Sequence, residues 1–240
     1  MNFLQIPALN KLFVNFFNAI NSNVLKVFPS ENISYGLSII ILTIIIRLCL
    51  VPLYVKQMKS TAGMSKIGPE VKKLQKKYKN DPKKLQEETM NLYKEHGVNP
   101  FGGCLPLLLQ MPILLALYNV FLTLKLSGIS FLWIHDLAKH ATISDPITFI
   151  LPILSAATTY LSGVLMSMNA DPEQAKQTKT MNIVMAGMLF WMSINFNAAL
   201  VLYWVTGNII QIIQTQVVMR LINASYDKKM GIDNPNKSEV

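Results

Sequence analysis

Five long apolar blocks govern what this chain can fold into, at about 35–55, 104–124, 147–168, 181–196 and 199–219. A run of about 20 apolar residues forms a helix that crosses about 30 Å of hydrocarbon. In lipid the backbone must satisfy its own hydrogen bonds, which leaves helices or closed barrels. Barrel strands alternate apolar and polar residues, and these blocks do not. The 240 residues are 51% hydrophobic and only 15% charged, with a mean hydropathy of +0.34. A soluble domain carries about 25% charged residues. The expected fold class is therefore all-α, a polytopic membrane protein with five transmembrane helices. The fourth block is short, and only Asn195-Phe196-Asn197-Ala198 separates it from the fifth. That sequence reads as a tight turn at one membrane face. The short span predicts a mismatch met by local thinning of the bilayer or by protein cover.

The lysines orient the spans. Net charge is +9, and eleven lysines fall within 56–103, whereas 125–146 holds only Lys125 and Lys139. Positively charged loops stay in the cytoplasm. Residues 56–103 are then inside and 125–146 outside. The loop with Lys176 and Lys179 and the tail after Arg220 are inside too, which gives N-terminus out and C-terminus in. Residues 1–33 form an amphipathic extracytoplasmic segment. Phe3, Leu9, Phe13, Phe16, Phe17 and Ile20 recur there at roughly helical spacing. Such a helix lies in the outer interface or packs on the spans. Neither a secretory leader nor an early lipoprotein cysteine is apparent. Cys49 and Cys104 lie at or within apolar blocks and are expected to be free thiols.

The cytoplasmic stretch 56–98 reads as a helical hairpin inside a core of 34–220, followed by a short tail over 221–240. Gly68-Pro69 is expected to break the first helix, with Pro69 opening a new one. Asp81-Pro82 reads as an N-cap and first turn, and Gly97 as the stop. The run KKLQKKYK raises the possibility of an RNA-binding patch. It lacks interleaved aromatics apart from Tyr78, and topology plus attraction to anionic lipid explains it more simply. No direct DNA binding is expected.

Catalytic sets are missing from the sequence. His96, His135 and His140 share no ligand spacing with cysteine or glutamate. There is no phosphate loop, GxSxG or HExxH. The expectation is no enzyme, no cofactor and no metal. What remains is polar residues at membrane depth. Arg47 stands in the middle of IIIRLCLVPL, where a guanidinium costs roughly 2.5–3.5 kcal/mol on insertion scales. No Asp or Glu lies in any span to pair with it. Gln110 sits in the second span. In the fifth, Trp204, Asn208, Gln211 and Thr215 fall at i, i+4, i+7 and i+11, on one helix face. Thr158 and Thr159 lie midway through the third. So many polar groups should face an interior rather than lipid, and an unpaired arginine needs water. The residues point to a hydrated intramembrane cavity with Arg47 in its wall.

Three stretches together resemble the YidC/Oxa/Alb family of membrane protein insertases. They are IIIRLCLVPL at 44–53, NPFGGCLPLLLQMPILLALYNVF at 99–121 and ALVLYWVTGNIIQIIQTQ at 199–216. Their order and the topology extend the resemblance over about 34–220. The lack of a large extracytoplasmic domain is similar to the five-span form of Gram-positive bacteria. The resemblance implies a groove open to cytoplasm and lipid but closed to the outside, with Arg47 in it and Gln110 and Trp204 at matching positions. Asn208 and Gln211 join this set from the helical face alone. It also implies substrate membrane proteins and the lipid bilayer of the bacterial plasma membrane as partners, with the Sec translocon and the ribosome as further candidates. The alternative from another class is a channel or small-anion transporter with Arg47 as its anion site, though no internal repeat of the transporter kind is visible. A second alternative is a structural anchor whose hairpin docks a soluble partner.

Overall fold

A computed structural model describes residues 7–97, 105–167 and 172–230. Among these the secondary structure is helical, apart from two isolated β-bridges in one loop. The helices are α1 (Pro7–Val27), α2 (Glu31–Cys49), α3 (Val51–Lys77), α4 (Pro82–Glu95), α5 (Leu105–Thr123), α6 (Ile150–Ser167), α7 (Pro172–Asn195) and α8 (Ala198–Met230). A 3-10 turn, Pro146–Phe149, leads into α6. Three helical stretches are long and apolar enough to cross a membrane: Glu31–Cys49, Pro146–Met166 and Ala198–Ile222. Gln110–Thr123 is apolar but shorter.

α8 is the hub, packing against α2, α3, α5 and α6, while α1 lies on α2 and α5. α6 and α7 form the most extensively packed pair. The core gathers where α1, α2, α5 and α8 meet. Phe17 of α1 is fully buried there, edge-on to Phe121 and tilted against Tyr35. Leu42, Leu117, Val120 and Leu200 close around it. The 124–145 loop covers this end. Its Leu126, Phe131, Ile134 and Leu137 are buried in the same core. Phe131 sits against Gly36, where any side chain on α2 would collide with its ring. The loop also caps α8, since Leu137 and Lys139 carbonyls accept from Ala199 N (3.0 Å) and Ala198 N (2.8 Å). These bonds satisfy donors that a helix N-terminus otherwise leaves open.

At the opposite end α3 and α4 leave as a hairpin. Asp81 caps α4 by accepting from Lys84 N at 3.1 Å, with Pro82 in the first turn. Gly97 follows in the left-handed region at φ 62°, the conformation a helix stop needs. Leu74, Tyr78, Leu85 and Leu92 are half-buried between the two helices.

Three expectations require correction. Pro69 does not open a new helix, because α3 runs through it. A proline normally forces the preceding residue out of the α region by clashing with its Cβ. Here that residue is Gly68, which has none. The first span does not continue to about residue 55, because α2 ends at Cys49 and α3 begins at Val51. Pro52 has no N–H to give Leu48, so the ladder breaks at that step. The fourth block belongs to a longer helix than its apolar length implies, since α7 has 24 residues and starts in polar sequence. The turn between α7 and α8 is as short as expected, with Asn197 Oδ1 accepting from Leu200 N at 3.0 Å. Cys49 is a free, exposed thiol. Cys104, the 231–240 part of the tail and residues 1–6 lie outside the described residues.

Candidate functional site

Below the end covered by the 124–145 loop, the face of α8 turns polar. At about 100° per residue, Tyr203, Gln214 and Gly207 fall on the side facing α2 and α5, and Asn208 on the side facing α6. Gln211, Trp204 and Thr215 lie between. The whole set spans about 140° of the helix.

Arg47 sits in the last turn of α2. A cation there complements the partial negative charge of about half an electron at a helix C-terminus. The break at Leu50 places that helix end in mid-chain, two residues before α3 begins. Val51 starts the next helix, and the Arg47 carbonyl accepts instead from Gln214 Nε2 at 3.4 Å. The guanidinium packs against α8 at Gly207. A Cβ on that residue would come within 2.9 Å of Nη2. Tyr203 and Tyr54 are near enough to Arg47 to interact electrostatically. Among the described residues no carboxylate lies within ion-pair distance of it.

The other expected residues divide. Gln110 is half-buried on α5 and donates from Nε2 to Tyr203 Oη at 3.0 Å, close to the arginine. Trp204 is half-buried at the edge of the apolar core. Asn208 is buried in the α6–α8 interface. Its Nδ2 donates to Thr158 Oγ1 at 3.2 Å and Thr159 Oγ1 at 2.8 Å, so it ties two helices together. Gln211 is half-buried, with Nε2 at 4.0 Å from Met166 Sδ on α6. Lower on α8, Thr215 meets Tyr54 of α3 through their hydroxyls. Arg47, Gln110 and Tyr203 thus form one polar group, and Asn208 with Thr158 and Thr159 a second, with Trp204 and Gln211 between them on α8.

Sequence reasoning missed Tyr203, Gly207, Gln214 and Tyr54. Gly207 carried a signal, because a glycine inside a helical pattern usually marks a packing need. Gln214 carried one too, as a polar residue seven positions from Gly207. Tyr203 was hidden inside an aromatic pair, and Tyr54 in a stretch read as one continuous span.

Comparison with known proteins bears on the whole assembly. The family described as 60Kd inner membrane protein matches residues 26–225. The chain is 57% identical over 224 residues to the membrane protein insertase YidC of Clostridium acetobutylicum, covering 93% of this chain and 88% of that protein. It is 49% identical to the YidC of Clostridium tetani, covering 89% and 94%. It is 44% identical to the membrane protein insertase MisCA of Bacillus subtilis, covering 77% and 70%. With that likeness over nearly its full length, the chain belongs to the 60Kd inner membrane protein family, alongside YidC and MisCA, and is a multi-pass protein of the bacterial plasma membrane.

Proposed function

We propose that this protein is a membrane protein insertase that receives substrate segments in a groove walled by α2, α5, α6 and α8 and releases them into lipid. The observation that carries the reading is a guanidinium held inside an apolar bundle with no carboxylate partner among the described residues. A buried unpaired charge is too costly to keep for packing alone. In this reading water enters from the hairpin end and solvates Arg47, while the loop end stays sealed. Trp204, Gln211 and Gln110 line the groove, and Asn208 holds the α6 wall in place. α2, α5, α6, α7 and α8 are the five spans, with the loop end outside and the hairpin in the cytoplasm. α1 rides on the spans near the outer interface.

The physics of such a device is transfer rather than bond chemistry. A substrate gains free energy by burying its apolar span. The obstacle is carrying its polar tail across about 30 Å of hydrocarbon. A hydrated groove shortens the dry path. An acidic tail meets Arg47, and a charge pair at 4 Å is worth about 4 kcal/mol at an effective dielectric near 20, before desolvation is subtracted. That recruits a tail without trapping it. A negative charge moving outward gains about 2.3 kcal/mol per 100 mV with the interior negative. No nucleotide or cofactor enters. The Sec translocon and the ribosome are candidate partners of this activity.

Protease protection of a single-span substrate in liposomes holding only this protein tests the reading. Arg47→Ala should lower insertion of acidic-tailed substrates about tenfold, equivalent to about 1.4 kcal/mol. Arg47→Lys should retain part of it, and neutral tails should lose much less. Equal loss for acidic and neutral tails would sink the electrostatic role of Arg47.

A further inference from the structure

Away from the groove, the loop end holds a separate cavity of about 420 Å3 between the 128–148 stretch and the ends of α6, α7 and α8. That volume lies within the range of small-ligand pockets, about 300–1,000 Å3. We infer that this cavity binds the headgroup of a zwitterionic aminophospholipid from the adjacent leaflet. Three observations lead there. The first is the rim. Ile143 is 89% exposed on the tip of a turn closed by the Thr142–Asp145 bridge. It is followed by a row of exposed isoleucines, Ile147 (44%) in the 3-10 turn and Ile150 (40%) and Ile153 (55%) on α6. α6 is one of the spanning-length helices, so this row is a lipid-facing surface that reaches the mouth of the cavity. Trp133, another lining residue, is partly exposed beside it. A tryptophan with an apolar body and a polar edge suits the headgroup level.

The second observation is the interior. It carries both signs of charge at different depths. The Lys139 side chain is 75% exposed, and its Nζ is 3.5 Å from Asp136, whose side chain is 9% exposed. Asp145 pairs with His135 at 2.7 Å and is 33% exposed. The third is the order of these groups. From outside inward the cavity presents an apolar rim, an accessible cation, then shielded carboxylates. An aminophospholipid presents acyl chains, phosphate, then ammonium in the same order. A purely anionic headgroup would compete with Asp136 for Lys139 and bring no ammonium to take its place. The loop fixes the site rigidly, because Leu137 and Lys139 bond the first turn of α8 through their carbonyls.

Native mass spectrometry of the purified full chain, titrated with phosphatidylethanolamine, phosphatidylglycerol or free phosphoethanolamine, tests this without reading insertion. The wild type should retain phosphatidylethanolamine over phosphatidylglycerol. Lys139→Glu should lower that retention about fivefold, equivalent to roughly 1 kcal/mol. Ile143→Asn, at an exposed tip where folding is not at stake, should also lower it. Retention unchanged in both variants, or a preference for phosphatidylglycerol, would overturn the assignment. Free phosphoethanolamine binding as well as the lipid would also overturn it, by making the ligand a soluble zwitterion.

Discussion

At the loop end, Phe17, Leu42, Leu117 and Leu200 close into one apolar core that also takes in Phe131, Ile134 and Leu137 of the covering loop. At the hairpin end the corresponding cluster is Tyr54, Met58, Val218 and Ile222. Between them lies the polar belt of Arg47, Gln110, Tyr203 and Gln211. The same helices, α2 and α8, build all three levels. What changes along them is how fully neighbouring elements cover their faces. One end therefore resembles the interior of a soluble domain, and the other holds a smaller apolar cluster among the described residues. On the reading proposed above, the bundle opens at the hairpin end only, as a path into the membrane from the cytoplasm would need.

That contrast can be broken by truncating each end. In lipid the transfer gain of burying leucine is largely absent, since hydrocarbon tails are equally apolar. The cavity cost remains, at about 24 cal/mol per Å3. Leu117→Ala should therefore cost about 2 kcal/mol, read as a lowered midpoint of denaturation in detergent. Met58→Ala should cost clearly less, because the smaller cluster around it, half of it only partly buried among the described residues, can collapse around the gap. Equal costs would mean that the two ends are equally packed.

A smaller effect sharpens the middle level. Asn208→Ala removes two bonds to α6, each worth about 0.6 kcal/mol in membrane helices. The expected loss is about 1 kcal/mol in the same assay, with insertion of acidic and neutral tails falling in parallel. A loss confined to acidic tails would instead make Asn208 part of the Arg47 site.

Much of the helical content was legible because its signals are local. Asp81-Pro82, Gly97 and the Asn195–Ala198 turn act over three or four residues, and each appears where the sequence puts it. Arg47 was legible from cost alone. The environment around Arg47 was not. Gly207 is 160 residues away, and Gln110 meets Tyr203 across 93. Such partners are set by how helices cross, which no local pattern encodes. The break at Leu50 was hidden for a different reason. Pro52 lies inside an apolar run, and length alone read that run as one span. Asn208 shows the limit of a face argument. A 140° arc borders two neighbours, and only packing decides which residues meet α6 and which stand between.

The central claim is a groove open at the hairpin end and closed at the loop end. The direct measurement is labelling of Gln211→Cys, in a chain with Cys49→Ser and Cys104→Ser, by a membrane-impermeant thiol reagent applied from one side of oriented vesicles at a time. The account predicts labelling from the hairpin side and none from the loop side. Labelling from the loop side, or from neither side, would contradict it.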